Sequence, residues 1–331
     1  MRLERSKINN ILVISLSNIG DVILTFPVVD VLRSQFPLAK ISIVIGPKAQ
    51  GLLNGNVNFE KVYIFDKHQS FLKTLKLIST LRNEHFDLAV DLRNTAIPIL
   101  ISAKYRTPLS DPKNEFMHMK DKHLARLRSA GVEGDNKSGQ RYCISISKED
   151  RRIVDEIINR QIGKDQKFVI IAPGAASSAK RWSEDSFTKL HDSILKSSSV
   201  KVIYVGNNDD KLIAERIISK PNVNVINFCG LLTLTQLAYL MNFASVMIVN
   251  DSSPMHLASY LDRPVLAIFG ASDPKKYGPW SGESRFVRSD KQCPACAGSE
   301  NDQKHECMDN VSCDDVLAFL KITSTDVCLV K

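Results

Sequence analysis

The chain has 331 residues, 44% of them apolar and 24% charged, with a formal net charge of +8. That length and balance exclude a lone small core, a disordered low-complexity chain and a collagen-like repeat, and they suit two domains of ordinary size. The positive excess points to an anionic partner: nucleic acid, an acidic membrane surface and a phosphorylated metabolite are the physical classes.

In chain order, the apolar run at 11–16 (ILVISL) reads as a buried strand. Residues Asp21 to Phe36 then repeat apolar positions at helical spacing, with Pro27 expected to distort the helix. Residues 41–45, 61–65 and 87–92 read as strands. The segment Ser70 to Arg82 reads as a helix with Leu72, Leu75, Ile78 and Leu81 on one face. A polar loop covers 104–116, and a helix covers 118–130. A boundary falls between about 134 and 166, containing the short apolar piece YCISI and a charged helix from Lys148. The pattern restarts at 168–172, followed by strands at 201–205, 223–228, 246–249 and 265–269 with helices between them. Thr233 and Gln236 have the spacing of a capping box. Apolar strands separated by helices predict two successive α/β units, each with a parallel sheet covered on both faces.

No run approaches the roughly eighteen apolar residues of a membrane span. The opening MRLERSKINN lacks the apolar centre of a secretory signal. The expectation is a cytoplasmic protein with reduced thiols, open to peripheral attachment at a membrane face. Of the seven cysteines, Cys143 and Cys229 are expected in strands or at their edges. Cys293 and Cys296 have zinc-ligand spacing, with His305, Cys307 and Cys313 nearby. The wider gap in CMDNVSC does not fit a zinc knuckle, so packing thiols and structural zinc both stand. Lysines and arginines are dispersed, and no nucleic-acid-binding motif occurs.

Four loops carry candidate chemistry. SNIGD (17–21) follows the first strand but lacks both GxGxxG and a Walker loop. Asp21 there reads either as a helix-capping carboxylate or as a general base at the carboxyl edge of a sheet. PGAASSAKRW (173–182) offers close backbone approach at Gly174, hydroxyls at Ser177 and Ser178, and cations at Lys180 and Arg181, which suits a phosphate or pyrophosphate. NDSSPMHLA (250–258) opens a helix, and backbone donors at such an end attract phosphate. Its His256 reads as structural or as a ligand contact. GASDPKKYGPW (270–280) lies at the same rim. Arg93, Lys104, Arg106, Lys120 and Lys122 could draw an anionic acceptor or lie on plain surface.

In order and separation, SNIGDVILTFPVVDVLRSQFP, PGAASSAKRWSEDSF and VNDSSPMHLASYLDRPVLAIFGASDP resemble the ADP-heptose:lipopolysaccharide heptosyltransferase family, glycosyltransferase family 9. The cysteine-bearing tail is similar to that of many members, although Cys313 stands where many relatives have proline. The resemblance implies an α/β GT-B architecture, two Rossmann-like domains facing across a cleft. An amino-terminal acceptor-binding domain would span 1–150, a linker 151–165, and a carboxyl-terminal donor-binding domain 166–331. It implies inverting, metal-independent transfer of L-glycero-D-manno-heptose from ADP-heptose to a lipopolysaccharide inner-core acceptor, a lipid A-linked Kdo or heptose. No cofactor is implied, and contact with an anionic inner membrane is.

Asp21 matches the family's catalytic base, and Lys180 the lysine facing donor phosphate. Gly174, Ser177, Ser252, Ser253 and His256 match positions around the donor, Leu232 lies near the family's position that packs against the base, and Asp251 would orient the loop. At Ala176 some members carry a hydroxyl, for which Ser177 could substitute. Transfer of another nucleotide-linked sugar, and non-catalytic ADP-sugar binding, are the alternatives to be separated by experiment.

Overall fold

The computed structural model describes residues 3–66, 68–110, 117–136, 139–289 and 306–330. The chain separates into two compact units, Met1–Ser145 and Ile146–Lys331.

In the first unit, strands β1 (Asn10–Ile14), β2 (Lys40–Ile45), β3 (Lys61–Ile64), β4 (Leu88–Asp91) and β5 (Tyr105–Arg106) form one sheet in the order β3-β2-β1-β4-β5. Every pairing is parallel. Ile11, Leu12, Val13 and Ile14 are buried, as expected of a central strand covered on both faces. Helix Ile19–Gln35 continues unbroken past Pro27, with Val22, Ile23, Leu24, Phe26 and Val28 all buried. Proline there removes a helical bond to Ile23, and packing on nearly every face compensates for that loss.

The piece YCISI is not a strand. It is held by side chains instead: Asn56 donates to the carbonyls of Tyr142 and Cys143 at 3.0 Å each, and Asp30 accepts the Tyr142 N–H at 2.9 Å. Cys143 is therefore buried outside any ladder. Cys229 lies just past a strand end, and burial pushes its thiol up to about 12, which leaves it an inert packing group.

The second unit has β6 (Phe168–Ala172), β7 (Lys201–Tyr204), β8 (Val225–Asn227), β9 (Met247–Asn250), β10 (Val265–Phe269) and β11 (Ser284–Arg288) in the order β11-β10-β9-β6-β7-β8, again parallel throughout. A hairpin, β12 (Leu320–Ile322) and β13 (Val327–Leu329), packs on this unit's core. The sequence reading lacks β5, β11 and this hairpin. Helix Lys148–Ile157, expected near the linker, lies with the second unit: Asp150 accepts from Thr235 Oγ1 and Gln236 Nε2 at 3.0 Å each. The Thr233–Gln236 capping box forms as its spacing predicts.

In each sheet the strand order reverses beside the first strand, between β1 and β4 and between β6 and β9. Loops leaving the carboxyl ends at such a point diverge and open a crevice. Among the described residues, no helix is long and apolar enough to cross a membrane.

The core also carries a pH-sensitive group. His191 is buried, with Nδ1 3.0 Å from the Tyr204 hydroxyl, and burial pushes its pKa below the ordinary 6.5. The unfolded chain takes up a proton that the folded chain resists, so this contribution is full above about pH 6.5 and declines as pH falls through the lowered value. Urea unfolding should show lower stability at about pH 5.5 than at about pH 7.5, and His191→Gln should shrink the difference.

Candidate active site

The second unit concentrates chemistry at its switch point. β6 delivers the loop 173–182, β9 delivers Asn250–Ser252, and β10 delivers 270–273. Asn250, wholly buried, joins the first two: Nδ2 donates to the Pro173 carbonyl at 2.7 Å, and Oδ1 accepts the Trp182 N–H at 3.2 Å. Trp182 is itself sunk in the core, its indole N–H donating to Val311 O at 2.7 Å and its ring edge-on to Phe187. Arg181 turns inward and donates to Ala175 O at 3.0 Å. Both ends of the loop are thus fixed, while Ala176, Ser177 and Ser178 at its tip are exposed.

Lys180 is presented from this frame. Its amine lies 2.7 Å from Asp251 Oδ2, with the lysine side chain 39% exposed and the aspartate 5% exposed. Ser272, from the loop after β10, donates to the same carboxylate oxygen. The pair is fixed on its aspartate side and open on its lysine side. Asp251 is already engaged by two donors, and the contact holds Lys180 in place.

Beyond Asp251, helix Ser253–Tyr260 begins with Pro254 in its first turn, and its N-cap Ser252 makes no side-chain capping bond; the Ser252 hydroxyl donates instead to Asn250 O. Ser147, Ser183, Asn207, Thr233 and Ser312 all cap their own helices. The amide donors at this end, as at the starts of helices Ile19–Gln35 and Phe71–Asn83, have no side-chain cap and are left to other acceptors. Ser253 is half-buried, and His256 is buried against the Trp280 ring at 5.7 Å. Leu232, half-buried after β8, lies three strands from β9, roughly 14 Å across the sheet.

Gly174 has a packing role that the sequence does not announce. A Cβ there would sit 2.0 Å from Asp210 Oδ1. Asp210 closes a capping box with Asn207, and burial raises its pKa against the opposing effects of the Asn207 amide and the Arg181 charge. Asn250 and Ser272 fall within candidate loops of the sequence without being singled out there, and Asp210 falls in none. The signal for the first two was positional: each stands at or just past the end of a buried strand.

In the first unit, Asp21 is the third residue of helix Ile19–Gln35. Asp210, Gln236 and Asp315 occupy the same place in their helices, and each bonds back to the cap backbone. Asp21 closes no such box; its Oδ2 accepts from the Asn18 side-chain amide at 2.9 Å. The loop is pressed on Gly46, where a Cβ would meet Ser17 Cα at 2.6 Å. Asp91, at the end of β4, is fully engaged by Arg93 N, Thr95 N and Thr95 Oγ1. Of the candidate acceptor cations, Arg93 lies over Phe65, Lys104 over Tyr105, and Lys120 is paired with Asp121. Arg106 lines a cavity of about 540 Å³ with Thr107 and Ser110, and Lys122 lies on helix Met119–Ser129.

Among the described residues no group of three or more His, Cys, Asp or Glu is placed to hold a metal ion. Cys293, Cys296 and His305 lie outside the described residues, while Cys307 is buried and Cys313 half-buried.

The family model for glycosyltransferase family 9 (heptosyltransferase) matches residues 93–306. The chain belongs to glycosyltransferase family 9. It is similar to lipopolysaccharide heptosyltransferase 3 of Escherichia coli K12, with 26% identity over 295 residues covering 79% of this chain and 83% of that protein. It is also similar to the lipopolysaccharide core heptosyltransferase OpsX of Haemophilus influenzae, at 22% identity and 83% coverage of each. Among solved structures, ADP-heptose lps heptosyltransferase II of E. coli matches with TM-score 0.73 and 20% identity, covering 93% of this chain and 96% of that one. A family 9 glycosyltransferase of Veillonella parvula matches with TM-score 0.77 and 22% identity, covering 94% and 95%. With two parallel sheets flanked by helices, the protein is a glycosyltransferase of GT-B architecture.

The Gly174–Asp210 contact is testable without substrate. Gly174→Ala should lower stability by about 1–3 kcal/mol through overpacking. A thermal-unfolding double-mutant cycle with Asp210→Ala should show coupling of roughly 1 kcal/mol or more, because removing the carboxylate makes room for the methyl.

Proposed function

We propose that this enzyme transfers L-glycero-D-manno-heptose from ADP-heptose to a lipid A-linked Kdo or heptose of the lipopolysaccharide inner core, with inversion and without a metal. The observation that carries the reading is the aimed, half-exposed Lys180 beside the uncapped start of helix Ser253–Tyr260. A fixed cation and convergent backbone donors at one crevice suit a diphosphate leaving group. The similarity to proteins whose names specify ADP-heptose and lipopolysaccharide supports the choice of donor and acceptor.

In this mechanism the second unit, Ile146–Lys331, binds the donor. Lys180, Ser177, Ser252, Ser253 and His256 surround the diphosphate and sugar, and Leu232 packs on the base. Gly174 and Asp251 hold the loops that present them. The first unit, Met1–Ser145, binds the acceptor. Asp21 takes the proton of the acceptor hydroxyl as that oxygen attacks the anomeric carbon. The bond from that carbon to the ADP oxygen breaks, and ADP departs with the electron pair. Attack opposite the leaving group inverts the centre. Lys180 and the helix amides neutralise the charge growing on ADP, an effect worth roughly 10²–10³ in rate where it is preorganised. Asp21 contributes about 10²–10⁴ as the base. The enzyme works on the cytoplasmic face of the inner membrane, where an ADP-sugar and a lipid-linked acceptor meet.

Purified protein should convert ADP-heptose and a truncated core acceptor to a single linkage of inverted configuration, identified by mass spectrometry and NMR across a panel of nucleotide sugars and acceptors. Preference for another nucleotide sugar would reassign the donor. Donor binding with no turnover on any acceptor would make this a binding protein.

Asp21→Asn should lower kcat by about 10²-fold or more while leaving the ADP Kd within about 2-fold. Lys180→Ala should weaken ADP binding and also lower kcat. Normal turnover in Asp21→Asn would remove that residue from the chemistry.

A further inference from the structure

The helix Phe71–Asn83 does not bury the face its sequence predicts. Leu81 is buried and Leu77 and Ile78 are partly covered, yet Phe71, Leu72 and Leu75 are 74%, 76% and 45% exposed. At about 100° per residue these three project over a continuous arc of roughly 100°, beside the covered arc and turned away from it. Lys76 and Lys73 follow on the outer flank of that arc. The short helix Ile97–Leu100 packs against this one, and it adds Ile99 and Leu100 at 44% and 48% exposure, with Leu109 at 56% in the chain beyond. So many exposed large apolar groups on one unit mark an interaction surface.

The charge carried by these two stretches themselves has one sign. Residues 71–83 carry Lys73, Lys76 and Arg82, residues 97–110 carry Lys104 and Arg106, and neither stretch holds an aspartate or glutamate. Glu84, just past the helix, is paired with Lys61 at 2.6 Å. A second copy of this face would bring like charges together. An apolar stripe flanked by lysines matches a bilayer with anionic headgroups, where the apolar groups enter the boundary region and the ammonium groups meet phosphate.

We infer that the exposed face of helix Phe71–Asn83, with Ile99 and Leu100, docks the enzyme on an anionic lipid bilayer. Phe71 opens this helix at the carboxyl end of β3, the sheet edge from which the Asp21 loop also leaves. The inference deepens the proposed function, on which it rests for its purpose, since a lipid-linked acceptor is met at a membrane. Docking there would deliver the acceptor's sugar to the same edge as the base.

The test is co-sedimentation of the full-length protein with vesicles of phosphatidylcholine alone, or of phosphatidylcholine mixed with phosphatidylglycerol. The wild type should bind the mixed vesicles, weakly or not at all the neutral ones, and should lose binding as salt is raised. The triple variant Phe71→Ser/Leu72→Ser/Leu75→Ser should lower the partition coefficient about 10-fold or more. Lys73→Glu/Lys76→Glu should lower it on mixed vesicles. These side chains are exposed, and circular dichroism checks that both variants fold. No binding by the wild type overturns the inference, as do equal binding by the triple variant and equal affinity for neutral vesicles. Sedimentation velocity showing a dimer that the triple variant dissolves would reassign the face to self-association and equally overturn it. Transfer to a deacylated acceptor in free solution reads the sugar chemistry separately: the variants should keep wild-type rates there, and loss of that activity in the wild type would fault the proposed function and not the docking face.

Discussion

Asn250 sits wholly buried at the end of β9 and uses both ends of its side-chain amide, one on the Pro173 carbonyl and one on the Trp182 N–H. The loop between those two residues has little internal structure beyond one short helical turn. Without the clamp, its exposed tip would sample many conformers, and Lys180 would sample them too. Leaving a buried amide partner unsatisfied costs about 1–3 kcal/mol, enough to disfavour any arrangement in which the loop pulls away from β9. Asp251, the next residue, fixes Lys180 in turn, so two consecutive residues at one strand end align two loops and a cation. Such prior alignment lets charge be stabilised without rearrangement during reaction.

The amino-terminal loop of the first unit is built differently. A glycine-rich phosphate loop presents amide donors. Here the third helical residue is an acid held by a neighbouring asparagine, and it closes no capping box. Asp210, Gln236 and Asp315 show what such a residue does when it serves only its helix. Under the proposed mechanism this carboxylate serves the acceptor, and the loop then needs no phosphate fingerprint.

Much of the fold was legible because the central strands are continuously apolar. Residues 11–14, 168–172 and 265–269 state their burial directly, and the polar segments between them alternate at helical spacing. β5 has two residues, one exposed, and β11 reads SRFVR with four of its five residues at least partly exposed, so neither carries a periodic signal. YCISI was misleading because its backbone at Tyr142 and Cys143 is held by side-chain bonds from Asn56 and Asp30 and not by a ladder, which no local pattern encodes. Helix Phe71–Asn83 erred in the other direction: its periodicity is correct, but half of the apolar face has no protein against it. At the candidate site, Lys180 and the Ser252–Ser253 turn were visible as candidates from motif and spacing. Asn250, Ser272 and the Gly174–Asp210 contact were not, since each depends on which strand ends the topology brings together.

The central claim is that the β6–β9 switch point of the second unit, and not a loop of the first, receives the nucleotide diphosphate. A crystal structure of the protein with ADP bound tests this most directly. The account predicts phosphate oxygens within hydrogen-bond distance of Lys180 Nζ and of the backbone amides opening helix Ser253–Tyr260, with the base reaching toward Leu232. A diphosphate seated on the SNIGD loop, or one in the second unit that leaves Lys180 and that helix end untouched, would contradict it.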